Sequence, residues 1–333
     1  MAVLLKGTTF SSGQSVDHTD MNNIIDTATL NPNQTDGIIG SQSEKTTIAS
    51  TDRVLIQDMD GTNLLKRATI ANIIGGSGIT QTSAATGVGQ SALAALTSGT
   101  GNVAAGYSAL YTLATGDDNT AVGSNALKLA TGDDNTAVGS DSLTANSSGD
   151  SNVAVGSKSL AANTTAGQNT AVGHEALTTN ETGAGITAVG YRSLKVNTAS
   201  GNTAVGNQSL VGNTTGTSNT AVGDGTLMVI ATKSHCTSVG STAGAAATGR
   251  ETTYVGSAAG AQDTMDESTA IGYAALNAVN TGAGNTACGH GALNVNTSGA
   301  FGTAIGAGAL RGNTSGTSNT AVGWAALYTN ADG

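Results

Sequence analysis

A chain of 333 residues with 10% charged and 3% aromatic side chains, 48 glycines and one proline lacks the side chains from which a globular core of that size is built. Its formal charge of −10 argues against a nucleic-acid partner, since no basic patch is available to neutralise phosphates. No apolar run approaches the roughly 20 residues that a membrane helix needs, so membrane insertion is not expected.

Residues 1–40 stand apart from the rest. Met1-Ala2-Val3-Leu4-Leu5-Lys6 turns polar too soon for a secretory signal, which predicts synthesis and assembly in a cytoplasm. Asp17-His18-Thr19-Asp20 ahead of Met21, Ile24, Ile25 and Ala28 predicts a short amphipathic helix, serving either as a cap or for docking. Pro32 ends it, because the residue before a proline avoids helical angles. Residues 41–78 read as a small connector. A strand at 53–57, a turn at Asp58-Met59-Asp60-Gly61 and a returning strand at 63–67 form a hairpin. A short helix at 69–74 and the linker Gly75-Gly76-Ser77-Gly78 follow. The N-terminal region is thus expected to be small and α+β.

From 79 to 333 the phrase Asn-Thr-Ala-Val-Gly recurs. Its glycine falls at Gly89, Gly106, Gly123, Gly139, Gly156 and onward to Gly323, always 16 or 17 residues apart. A leucine stands four positions later in 13 of the 15 copies, Gly244 and Gly260 being the exceptions. Fixed columns at a fixed period predict a stacked array in which each unit is one coil. Thr-Ala-Val reads as a strand with its β-branched residues on one face and its alanines on the other. Tyr254 is the outlier of the alanine column. The leucine phrase supplies a second strand or a bend, and polar loops such as Asn146-Ser147-Ser148-Gly149 close each coil. The expected fold is all-β: a parallel β-roll or β-solenoid of 16–17-residue coils.

The repeat core is assigned to Val122, Leu127, Val138, Leu143, Val155, Leu160, Val172 and Leu177. One valine and one leucine per coil, at roughly 1.5–3 kcal/mol each, set against about 1–2 kcal/mol of backbone entropy per residue, leave the single roll thinly cored. A homotrimer packed through the alanine face is therefore expected. Cys236 and Cys288 lie in different columns three coils apart and are read as free thiols, Cys288 replacing a core valine.

Candidate chemistry is sparse. The pairs Asp117-Asp118 and Asp133-Asp134 occupy equivalent loop positions in adjacent coils, so their carboxylates either splay into solvent or share a cation such as Ca²⁺; solvated carboxylates are the expectation. His18, His174, His235 and His290 are too scattered for a metal cluster or triad. No catalytic site, metal or cofactor is expected. The position after the repeat glycine is variable and reads as exposed; it holds Tyr107, His174, Tyr191, Tyr273, His290 and Trp324, residues suited to stacking on sugars or touching a partner.

The repeat resembles the Asn-Ser-Val-Ala-Ile-Gly repeat of YadA-like heads in trimeric autotransporter adhesins, over about residues 86–328. That resemblance implies one coil per repeat and three left-handed rolls around an axis. Leu5-Lys6-Gly7-Thr8-Thr9-Phe10 with the Thr-Asp-Met-Asn-Asn helix, and the unit Asp52-Arg53-Val54-Leu55-Ile56-Gln57, are similar to segments of bacteriophage tail fibres. A secretion signal, heptad stalk and membrane barrel are not seen, which favours a structural virion fibre, attached to tail or baseplate proteins through residues 1–40 and supporting adhesion to a host receptor. The alternatives are a bacterial trimeric surface adhesin or, further off, a tailspike acting on host polysaccharide. The ending Asn330-Ala331-Asp332-Gly333 in mid-phrase suggests a partner or a further tip beyond it.

Overall fold

The computed structural model describes the backbone of residues 53–57, 65–69 and 79–81, and residues 85–332 with their side chains. The chain divides into two units, Met1–Ser77 and Gly78–Gly333. In the first, β1 (Arg53–Gln57) pairs antiparallel with β2 (Leu65–Thr69), Arg53 opposite Thr69 and Gln57 opposite Leu65. The return strand runs two residues later than 63–67 and takes in Thr69, the first residue of the expected helix. The remainder of that helix, the hairpin turn, the glycine linker and all of residues 1–40 lie outside the described residues.

In the second unit, fifteen short strands from β4 (Ala85–Val88) to β18 (Thr320–Val322) stack in chain order into a parallel β-solenoid of about 14 turns. β3 (Ile79–Gln81) starts the sheet antiparallel to β4. No helix occurs among the described residues. Like pairs with like: Thr120 lies beside Thr136, Ala121 beside Ala137 and Val122 beside Val138.

The period follows from the glycine column. Gly139 has φ +134°, and a Cβ built on it would lie 2.6 Å from the carbonyl carbon of Gly156 in the next coil. Only glycine tolerates both the angle and the approach. The chain then bends rather than forming a second strand. The residues two and four after the glycine take left-handed angles, as in Asn125 (φ 56°) and Leu127 (φ 47°). The stack holds this wall in place, because Leu127 N donates to Ser142 O at 3.0 Å and Leu143 N to Ser159 O at 3.0 Å. A non-glycine residue in this conformation persists only when its surroundings over-determine it.

Burial corrects the inferred core in one respect. Leu127, Leu143, Leu160 and Leu177 are fully buried, but so is the alanine column (Ala121, Ala137, Ala154, Ala171), while Val122 is 40% exposed and Val138, Val155 and Val172 are half-buried. The alanines face the roll's own interior, where the opposite wall stands too close for a larger side chain. The valines and threonines point outward. Cys288, in the valine column, is accordingly half-buried on the outer face, whereas Cys236 is buried; both are free thiols.

The interior also contains polar residues that the sequence reading placed in loops. Asn146, Asn163, Asn180, Asn197 and Asn213 form one buried column, and Asn102, Asn119, Asn135, Asn152 and Asn169 another. In the first, Asn163 Nδ2 donates to Asn146 Oδ1 at 2.8 Å and to Ala166 O at 2.9 Å. In the second, Asn135 Nδ2 donates to Gly149 O at 2.9 Å, and Asn135 Oδ1 accepts from Asn152 N at 3.0 Å. These ladders satisfy turn backbone groups that would otherwise be buried without partners.

The alanine wall is interrupted by one large side chain. Tyr254 is fully buried in the alanine wall, and a Cβ on Gly244 would meet its Cδ2 at 2.8 Å. Gly244 and Gly260, the two absences from the leucine column, bracket that ring. Tyr254 Oη donates to Asp263 Oδ2 at 2.8 Å, and Asp263 Oδ1 accepts from Asn280 Nδ2 at 2.8 Å.

Candidate contact surface

The strand–glycine junction sets the position after each glycine on the rim of the roll. Tyr107, His174, Tyr191, Tyr273, His290 and Trp324 are all exposed there. Stacking of coils brings two pairs of them together. His174 and Tyr191 stack with ring centroids 5.8 Å apart, and Tyr273 and His290 at 5.2 Å. Tyr107 and Trp324 stand away from these pairs, Trp324 at 85% exposure. Beside the first pair, the Arg192 guanidinium lies 4.9 Å from the Tyr191 centroid. Its Nε also contacts Glu175 at 2.7 Å, and Lys195 Nζ reaches the same carboxylate at 2.9 Å. Hydrogen bonds from Lys195 and Arg192 hold the Glu175 carboxyl down at about 2. This ledge of rings and charges was legible as a column but not as pairs, because pairing depends on the register between coils.

The stacked acids bond to the backbone of the neighbouring coil. Asp117 N donates to Asp133 Oδ1 at 2.8 Å, and Asp133 N to Asp150 Oδ1 at 2.9 Å. Each carboxylate thus accepts the amide of the coil before it. Asp117 accepts likewise from Thr100 N and Oγ1, which lowers its carboxyl below the usual range. Among the described residues no group of three or more His, Cys, Asp or Glu could hold a metal ion. Asp118 and Asp134 take left-handed turns at φ 55° and 58° and are exposed.

The broadest surface feature is the outward face of the sheet. Rows of Thr and Val side chains run along it from β4 to β18, with Val222, Val239 and Ile271 at 37, 39 and 41% exposure. Exposed apolar residues in continuous rows of this kind are candidates for an interaction surface. Comparison with known proteins gives no family model, no characterised relative and no solved structure that matches this chain. The likeness to adhesin heads therefore rests on the repeat itself.

Proposed function

We propose that residues 79–333 form the shaft of a homotrimeric virion fibre, that residues 1–40 attach it to tail or baseplate proteins, and that the exposed aromatic rim supports adhesion to a host surface. The observation that carries this reading is the outward Thr/Val face. Three such faces turned towards a common axis cover every row at once and in the same register, a closed arrangement that leaves no further face to polymerise. The parallel stack provides length: about 14 turns at ~4.8 Å make a rod on the order of 70 Å. The role is mechanical and adhesive, without catalysis.

Cys288 tests the assembly directly. It lies in the valine column while Cys236 is buried, so a short bismaleimide is expected to link purified chains in pairs through Cys288, one thiol per chain allowing no larger covalent product, and to leave the Cys288→Ser chain unlinked, while sedimentation reads the threefold state. The same antibody-labelled chain should decorate phage particles and be lost from them when residues 1–40 are removed. A monomer by sedimentation, or particles that keep the truncated chain, would refute the corresponding half.

A further inference from the structure

Departures from the repeat cluster over residues 230–268, although Leu113, Ala130, Ile186 and Gly302 also stand in ladder positions. Ile230, Ala247 and Asp263 replace asparagines in one ladder; Cys236, Thr252 and Ser268 replace them in the other. The two missing leucines and the buried tyrosine fall in the same stretch. Where a sequence breaks its own structural rules locally and coherently, a function imposed on that place is the usual cause.

The surface above these coils supplies one. Thr232, Lys233, Ser234, His235, Arg250 and Glu251 line an open, polar surface groove of about 470 Å³. Lys233 occupies a column that holds only glycine or alanine where asparagines flank it on both sides, as at Gly149, Ala166, Gly216 and Gly316. A Cβ on Gly216 would lie 2.0 Å from Lys233 O in the next coil, 2.5 Å from Asn213 Oδ1 and 2.9 Å from Asn219 Nδ2. At 233 the corresponding neighbours are Ile230 and Cys236. Lys233 and Met265 depart from glycine and alanine in this column, and both stand where the flanking asparagines are missing.

Arg250 is held in place. Asp266 accepts from Arg250 N and from Arg250 Nε, both at 2.9 Å, and also feels the Lys233 charge, while the terminal guanidinium nitrogens have no hydrogen bond among the described residues. Lys233 has no ion pair among the described residues. Glu251 and the hydroxyls of Thr232 and Ser234 add acceptors and donors to the same wall. A bare polyanion would be repelled by Glu251. A polyhydroxy ligand carrying a single anionic group uses both signs of charge, and the planar Arg fork matches such an anion.

We propose that this groove binds an acidic saccharide, its anionic group between Lys233 and Arg250 and its hydroxyls on Thr232, Ser234 and Glu251. The saccharide class rests on the adhesion reading above; the groove does not. The test uses the full chain and four probes: an oligogalacturonate, its methyl ester, dextran and inorganic phosphate. Oligogalacturonate is expected to bind, the ester and dextran to bind at least tenfold more weakly, and phosphate alone to bind poorly. Lys233→Gly, which restores the column residue and should fold, and Arg250→Ser are each expected to weaken oligogalacturonate binding at least tenfold. Arg311→Ser, on another coil, should leave it unchanged. Binding that survives Lys233→Gly, equal binding of dextran, or no binding of the oligogalacturonate overturns the proposal. Stronger retention of free phosphate overturns the saccharide class. Cross-linking through Cys288 in the same preparation reports separately on the fibre.

Discussion

The tyrosine at 254 replaces an alanine in a wall where alanine is the rule, and its ring takes the volume that leucines hold in other coils. A Cβ on Gly260 would fall on the ring itself, as would one on Gly244, so neither leucine can return while the tyrosine is present. Tyr254→Ala alone should cost about 3–5 kcal/mol, because it leaves a cavity with no side chain near enough to fill it. Adding Gly244→Leu and Gly260→Leu should recover most of that loss, since both positions already have the left-handed angles, φ 58° and 57°, of the other leucines. Denaturant melts of the single and triple variants decide the matter: a triple variant no more stable than the single one would mean that the three positions are unrelated. Asp263 gives a pH-dependent companion. Burial, the largest influence, pushes its carboxyl above the ordinary aspartate range despite the bonds it accepts. The folded chain therefore holds that proton more tightly than the unfolded one. Its contribution is intact below the unfolded value, about 3.9, and is lost as pH rises through the folded one. Asp263→Asn, which restores the ladder residue, should raise the melting temperature at pH 8 and leave it nearly unchanged at pH 3.

At the scale of the coil, glycine phasing was plain in the sequence and the asparagine ladders were not. The spacing of Gly123, Gly139 and Gly156 is visible without coordinates, and a stacked glycine explains it. Asn146 and Asn163 recur just as regularly, but a polar residue beside Ser and Gly reads as loop until the stack shows a carbonyl waiting for it. Recurrence at a fixed column, in a turn too short to vary, was the available signal. The leucine wall was half legible: its residue was identified, but its alternating left-handed angles follow from coil-to-coil bonds that no single repeat contains. Asn163→Ala removes two donated bonds and the acceptor for Asn180 Nδ2. Each buried group left unpaired costs about 1–3 kcal/mol, so this variant should be destabilised by a few kcal/mol although it deletes only an amide. Thr164→Ala, one residue away on the partly exposed rim, should change stability by less than about 1 kcal/mol. Near-equal melting of the two would remove the ladder from the account of what holds the coils together.

Across the whole molecule, the limit of sequence reasoning lies in a sign. Alternation along Thr-Ala-Val fixes which residues share a face, but not which face turns inward, and hydrophobicity chose the valines. The narrow interior reverses that choice: it admits Ala121 and Ala137 and sends Val122 and Val138 outward. The burial that a thinly cored roll still lacks is consequently sought on the valine side. With the alanines occupied in the roll's own interior, the association proposed here uses the valine face instead. Val172→Asp separates these possibilities. Val172 is half-buried on the outer sheet face, so in an isolated roll the aspartate can reach water and the fold should persist, with its far-ultraviolet signal intact. In a threefold assembly the same substitution brings three carboxylates to one level of the axis, where repulsion and desolvation both oppose packing. Sedimentation should then show folded monomer in place of trimer, with reassembly favoured at acidic pH as the carboxylates protonate. Ala171→Asp, on the inner face, should instead unfold the coil whatever the oligomeric state. If Val172→Asp leaves the trimer intact while the fold is unperturbed, the chains meet through some other surface, and the Thr/Val face must be assigned a different partner.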